Sequence, residues 1–304
     1  MRYRKLGNTD LLVSELALGT VELGLDYGFK DSAHYSRPSF EESVRLVLHA
    51  LDSGITLIDT ARAYGDAEAV VGEALRRTSL RPVVATKVAI TAATRPAEVG
   101  ASVERSLREL GVESVDLVQI HSATAASLYN HDAMGALEEM VRQGKTRYLG
   151  ASIYTTDEAL GAMDRGGLQS LQAPFNMLDQ AMMDDVFPRA WGLGVGVLVR
   201  SAFLRGVLTP QAASLPEPLA PLRDAAMRAL GGADVAELAP MALRFCLSFE
   251  PVTSVIVGVR NVAELDANIA ASNRGQLDDG FLERRREFAV RGPMVNPQSW
   301  QGLI

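Results

Sequence analysis

Eight short apolar runs, each followed by a longer segment of helical period, constrain this chain more than any other feature of its sequence. The runs fall at residues 16–18, 57–59, 83–86, 117–120, 149–152, 171–173, 195–199 and 255–257. They are apolar at nearly every position rather than at alternate ones, the pattern of parallel strands buried on both faces. The segments between them carry helix punctuation. Ser39 with Glu42 forms a capping box ahead of Val44, Val47, Leu48 and Leu51, and Gly54 stands where that helix should stop. Ala67, Val70, Val71, Ala74 and Leu75 line one helix face, as do Val99, Val103, Leu107 and Leu110 ahead of Gly111.

Eight strand–helix units point to a closed (β/α)8 barrel, a TIM barrel of class α/β. Residues 3–5 and 12–14 flank a Gly7-Asn8 turn and read as an N-terminal β-hairpin. The competing open doubly wound sheet wants a G-x-G-x-x-G opening a helix, whereas Gly192, Gly194 and Gly196 precede a strand. No linker divides the alternation, so residues 1–304 are expected to form a single domain, with residues 22–39, 204–219 and 291–304 as loops.

Composition excludes several classes of function. The chain is 47% hydrophobic with a net charge of −7 and no basic block, so neither nucleic acid nor an anionic membrane surface is an expected partner. No run approaches the ~20 apolar residues of a membrane span, and the N-terminus lacks a secretory apolar core. The lone Cys246, among Met241, Leu243, Phe245 and Leu247, reads as a buried structural thiol. A cytoplasmic location is expected. No H-E-x-x-H or clustered His/Cys spacing suggests a metal, so none is expected.

In such a barrel, functional side chains lie at the C-terminal strand ends and in the loops that follow. There the sequence places Asp59, then Tyr64 just beyond; Lys87 after Thr86; and His121 after Ile120. Reducing a carbonyl by hydride leaves an alkoxide that needs a proton. Tyr64 can supply it. A free phenol has a pKa near ~10, and an ammonium at Lys87 would lower it. Asp59 would keep that amine charged and oriented, and His121 would orient the substrate oxygen or help move the proton. The other histidines, His34, His49 and His131, read as structural or solvent-facing.

The stretch from Leu57 through Asp59 and Tyr64 to Gly65, the Thr86-Lys87 pair and the run from Asp116 to His121 resemble the aldo-keto reductase superfamily. So does the opening from Tyr3 to Gly7 and from Val13 to Thr20, where family members carry the hairpin that closes the barrel bottom. The resemblance implies that Asp59, Tyr64, Lys87 and His121 are a catalytic tetrad. It further implies that Ser152 and Gln172 hold the nicotinamide carboxamide, and that Gly258, Arg260 and Asn268 grip the adenosine end. A phosphate site in the loops after the seventh and eighth strands suits this barrel on physical grounds as well.

The chain departs from the family pattern at three places. Ile153 stands where many members have Asn, Phe175 where many have Tyr, and Arg200 where many have the aromatic that stacks on the nicotinamide. The planar guanidinium of Arg200 can stack instead, or it can pair with a carboxylate. Cofactor choice turns on Arg260, which suits the 2′-phosphate of NADP(H), and Glu264, which suits the ribose hydroxyls of NAD(H) unless it merely caps the helix with Asn261. NADP(H) is the expected cofactor, with NAD(H) the alternative.

The substrate implied is a small-molecule carbonyl or alcohol: an aldehyde, a ketone or a keto-sugar. Tyr27, Phe29, Tyr35, Tyr129, Phe203, Leu204 and Trp300 are the candidate frame. Two rivals stand beside this enzyme. One is a cofactor-binding regulatory or channel-associated module of the same family with slow turnover. The other is a lyase or isomerase working through Lys87, which leaves Tyr64 unexplained.

Overall fold

All eight apolar runs become strands, and the strands close on one another. In the computed structural model, which describes residues 1–28 and 36–300, the barrel strands are β3 (Leu16–Gly19), β4 (Leu57–Asp59), β5 (Val83–Ala89) and β6 (Val115–His121), followed by β7 (Thr146–Ser152), β8 (Ser170–Pro174), β9 (Gly196–Arg200) and β10 (Val252–Gly258). They run parallel in the order β10-β3-β4-β5-β6-β7-β8-β9, so neither end strand keeps a free edge. Several strands extend beyond their apolar runs because neighbours pair with the extra residues. Ala89, for instance, lies opposite His121.

The hairpin strands β1 (Tyr3–Lys5) and β2 (Leu12–Ser14) fall where the turn signal put them. Their loop carries Leu6, Leu11 and Val13 into the barrel floor, against Ala17, Leu57, Ala85, Leu117 and Leu198. Gly7, at φ 54°, approaches the Gly194–Gly196 backbone so closely that a Cβ would overlap it. Asn8 N bonds Gly194 O at 2.8 Å, and Arg4 Nη1 bonds Val252 O at 2.7 Å. The glycines at 194 and 196 thus seat the floor plug rather than a nucleotide.

The cover helices follow their punctuation. Ser39 and Glu42 form the reciprocal capping box of helix Phe40–Asp52, and Gly111 ends helix Pro96–Leu110 in the left-handed conformation. Three stretches read as loops hold more structure than expected. Val21–Gly24 is one helical turn, residues 204–219 hold three 3-10 turns, and the C-terminal stretch holds two more. His131 opens helix His131–Arg142 rather than lying in a loop, and His49 pairs with Asp266 on the surface at 2.7 Å.

Cys246 is buried and donates toward Phe175 O at 3.4 Å. Among the described residues, no helix is long and apolar enough to cross a membrane, and no cluster of three or more His, Cys, Asp or Glu could hold a metal. His34, Phe29 and Tyr35 lie outside the described residues.

Candidate active site

Strand register brings the predicted acid, amine and imidazole to one mouth. Asp59 ends β4 beside β5, and Lys87 pairs in register with Gln119 of β6, two residues before His121. Lys87 has a fully buried side chain. Its Nζ donates to Asp59 Oδ2 at 2.5 Å and to Thr60 O at 2.9 Å. Asp59 Oδ1 accepts from Gln172 Nε2 at 2.7 Å and from Gln119 Nε2 at 3.1 Å. Burial pulls the Lys87 ammonium below its ordinary pKa, and the Asp59 carboxylate opposes that shift.

Tyr64 hangs from the turn after β4. Its ring centroid lies 4.9 Å from Lys87 Nζ, and the His121 ring meets it edge-on at 5.6 Å. A buried carboxylate fixes this turn: Glu68 accepts from Thr86 Oγ1 at 2.6 Å and pairs with Arg62 at 2.9 Å, tying the loop to β5.

The expected lowering of the Tyr64 pKa by Lys87 does not occur here. Burial, and then the negative charge of Asp59, push the phenol well above its ordinary value. Lys87 is committed to Asp59 and Thr60, and the cation whose field favours the phenolate is Arg200. Tyr64 therefore holds its proton firmly at neutral pH. His121 is pulled down to about 4, by burial first and by Lys87 second, so its imidazole is neutral there. Ser122, at φ 53°, turns the chain sharply just after it.

The residues matched to cofactor contacts line the same mouth. Ser152 pairs in register with Gln172, and both are buried. Because the Gln172 amide nitrogen donates both to Asp59 Oδ1 and, at 3.4 Å, to Gln119 Oε1, only its Oε1 is left for a carboxamide. Arg200, at the end of β9, lies over the Tyr154 ring with Cζ 4.0 Å from the centroid, and it donates to Ile153 O at 2.9 Å. No carboxylate pairs with it among the described residues, and the ring it stacks on is that of Tyr154. Phe175 sits in a core cluster with Phe187, Phe245 and Phe249 at 4.9–5.4 Å.

Beyond β10, Arg260 Nη2 donates to Tyr27 O at 2.5 Å, and Arg260 Nε is buried without a hydrogen-bond partner. Glu264 accepts from Arg260 N and from Asn261 Nδ2, both at 2.9 Å, while Asn261 Oδ1 accepts from Glu264 N. That is the capping geometry. Asn268 lies half-buried one turn further along helix Val262–Asn273.

The aromatic frame is only partly assembled. Tyr27 lies under the Arg205 guanidinium at 4.9 Å, Phe203 is half-buried and Tyr129 is exposed. Leu204 and Trp300 are buried in the core, and Trp300 Nε1 donates to Met294 O at 2.8 Å, which gives it a packing contact instead of a wall position. Gln119, Thr60 O and Glu68 are site residues that the sequence reading missed. For Gln119 the available signal was a polar side chain inside an otherwise apolar strand; Thr60 acts through its backbone carbonyl and Glu68 lies on the helix Ala67–Arg77, where no such signal exists. A groove of about 740 Å³ at the floor end is lined by Asp10, Arg76, Arg81, Asp116 and Arg147. Arg147 pairs there with both aspartates, and Arg76 pairs with Glu73, so it offers no comparable chemistry.

The chain is similar to known proteins over most of its length. The sequence model of the Aldo/keto reductase family matches residues 15–289. The chain is 28% identical to aldo-keto reductase YhdN of Bacillus subtilis over 69% of its length, a match that spans 64% of that relative. It is 26% identical to L-galactose dehydrogenase of Arabidopsis thaliana, covering 89% of this chain and 88% of that one. Among solved structures, the holo form of aldo-keto reductase AKR11C1 from Bacillus halodurans superposes with a TM-score of 0.82 at 26% identity, covering 96% and 97% of the two chains.

Proposed function

Since the chain belongs to the aldo/keto reductase family of NAD(P)H-dependent oxidoreductases, we propose that it transfers hydride between NADP(H) and an aldehyde, ketone or keto-sugar, with Tyr64 as the proton donor. The observation that carries this reading is the buried Lys87–Asp59 pair, with the Tyr64 ring against the ammonium and the neutral His121 at its edge.

The residues present fit a nicotinamide dinucleotide. A hydroxyl and an amide oxygen, from Ser152 and Gln172, stand at the tetrad end. At the other end Arg260 Nε is enclosed without an acceptor, a donor held ready for an anion. A nicotinamide held there would supply the hydride to the carbonyl carbon, and Tyr64 Oη would give its proton to the carbonyl oxygen as that oxygen takes up the C=O π pair. His121, being neutral, offers a hydrogen bond to the substrate oxygen without placing a second cation beside Lys87. Asp59 holds Lys87 in place, and Arg200 stacks at the rim. The preference for NADP(H) rests on Arg260, with Glu264 engaged at the helix start.

The test is titration of the purified protein with NADPH and NADH, followed by mixing each complex with a carbonyl panel while reduced-cofactor absorbance is followed. Oxidation of NADPH in preference to NADH is expected. Tyr64→Phe should keep cofactor affinity and lower turnover by about 10²–10⁴-fold, the range of general acid catalysis. Turnover that persists in the variant assigns the proton to another group.

A further inference from the structure

Glu22 lies in the single helical turn Val21–Gly24 after β3, and the chemistry above gives it no task. The residue is half-buried, but its Oε2 is fully enclosed and has no hydrogen-bond partner. Its carboxylate lies against Gly258 at the end of β10, where an added Cβ would overlap both oxygens. The neighbouring guanidinium groups share Tyr27: Arg260 bonds its carbonyl, and Arg205 covers its ring. The Nε of each arginine is also enclosed without a partner. One acceptor and two donors are thus buried within range of one another's charge without bonding one another, which costs folding free energy and which an anion bridging the two arginines would relieve.

We propose that Glu22 gates the phosphate end of the cofactor site, taking up a proton when NAD(P)H seats its phosphates between Arg205, Arg260 and the Gly258 backbone. This rests on the reading of Gly258 and Arg260 as cofactor contacts. An ionised carboxylate at Gly258 repels a phosphate, whereas a protonated one donates a hydrogen bond to it. Burial pushes Glu22 up to about 7, with Arg260 and Arg205 pulling down and Glu264 pushing up. Among the described residues, the other charges nearby are committed elsewhere. Glu68, on the helix packed against this turn, is held by Arg62 and Thr86, and Asp26 accepts from Arg37 N.

The test is binding of NADH and NADPH, by quenching of protein fluorescence, to the wild type and to Glu22→Gln from pH 6 to pH 9. NADH is the cleaner probe because the 2′-phosphate of NADPH titrates near ~6 itself. For one proton taken up by a group titrating near 7, the wild-type Kd rises about tenfold per pH unit above that value, and Glu22→Gln binds about tenfold tighter at pH 8 with a flat profile. Calorimetry in two buffers of different ionisation heat should count close to one proton taken up by the wild type at pH 8 and none by the variant. Glu22→Gln should also melt higher than the wild type at pH 8, which separates a folded variant from a damaged one. A flat wild-type profile, or weaker binding by a variant that melts no lower, overturns the proposal while leaving the cofactor reading in place. Absence of binding by the wild type at every pH overturns the cofactor reading itself.

Discussion

Lys87 and Asp59 form an ion pair whose side chains are 0% and 4% exposed, so the energetic weight of the pair can be worked out and measured. Lys87→Met leaves the Asp59 carboxylate with the amide donors of Gln172 and Gln119, at 2.7 and 3.1 Å. Breaking a buried pair costs roughly 3–5 kcal/mol, and those two donors place this variant at the lower end. Asp59→Leu leaves the ammonium with Thr60 O alone at 2.9 Å, strips the Gln119 amide of its acceptor and leaves the Gln172 amide only Gln119 Oε1 at 3.4 Å, which places it at the upper end. The double variant removes both charges, so it should cost less than the two singles together by about 2–3 kcal/mol. At roughly 2.1 cal/mol/K per residue over 304 residues, a loss of about 4 kcal/mol lowers the melting temperature by roughly 6 °C. Urea unfolding of the four proteins, followed by circular dichroism, gives the cycle directly. Singles that add to within about 0.5 kcal/mol would refute the argument that the charges depend on each other.

His121, held near 4 in the fold, should stay neutral between pH 5 and 8, so its ring resonances should not titrate near 6.5; a midpoint there shows the ring to be solvated. The unfolded chain takes up that proton below about 6.5 while the fold resists until about 4, so stability should fall with acid across this window, and His121→Asn should flatten that part of the slope. Cys246 is buried and its thiol is pushed above its ordinary pKa, so a thiol reagent should modify it only in denaturant. Rapid labelling of the native protein contradicts that burial.

The strands were legible because a parallel barrel strand is apolar on both faces, and Ser39, Glu42 and Gly111 marked helix ends by their side chains alone. The positions of Asp59, Lys87 and His121 were legible because each is a polar group at the end of an apolar run, and Tyr64 follows in the turn after the first of them. What stayed hidden depended on partners from other strands. Gln119 looked like an interruption of β6 until it met Asp59, some 60 residues earlier in the chain. The direction of the Tyr64 shift depends on how deeply the fold buries the ring and on the charge of Asp59, and no spacing encodes that burial. Glu22 was hidden for a similar reason: it matters through Gly258, at the far end of the sequence.

That the two ends of the barrel meet also governs how the molecule can be made. β3 finds its second partner in β10, and the floor hairpin is pinned by Arg4 to Val252 O, so the earliest strand synthesised waits for the last. Contacts of such long sequence separation slow folding, and a chain emerging from the ribosome exposes its unpaired strand edges meanwhile. Until residues 252–258 have been translated, β3 and β9 each offer an open edge of unpaired backbone N–H and C=O groups, a template for mispairing that the finished barrel no longer presents.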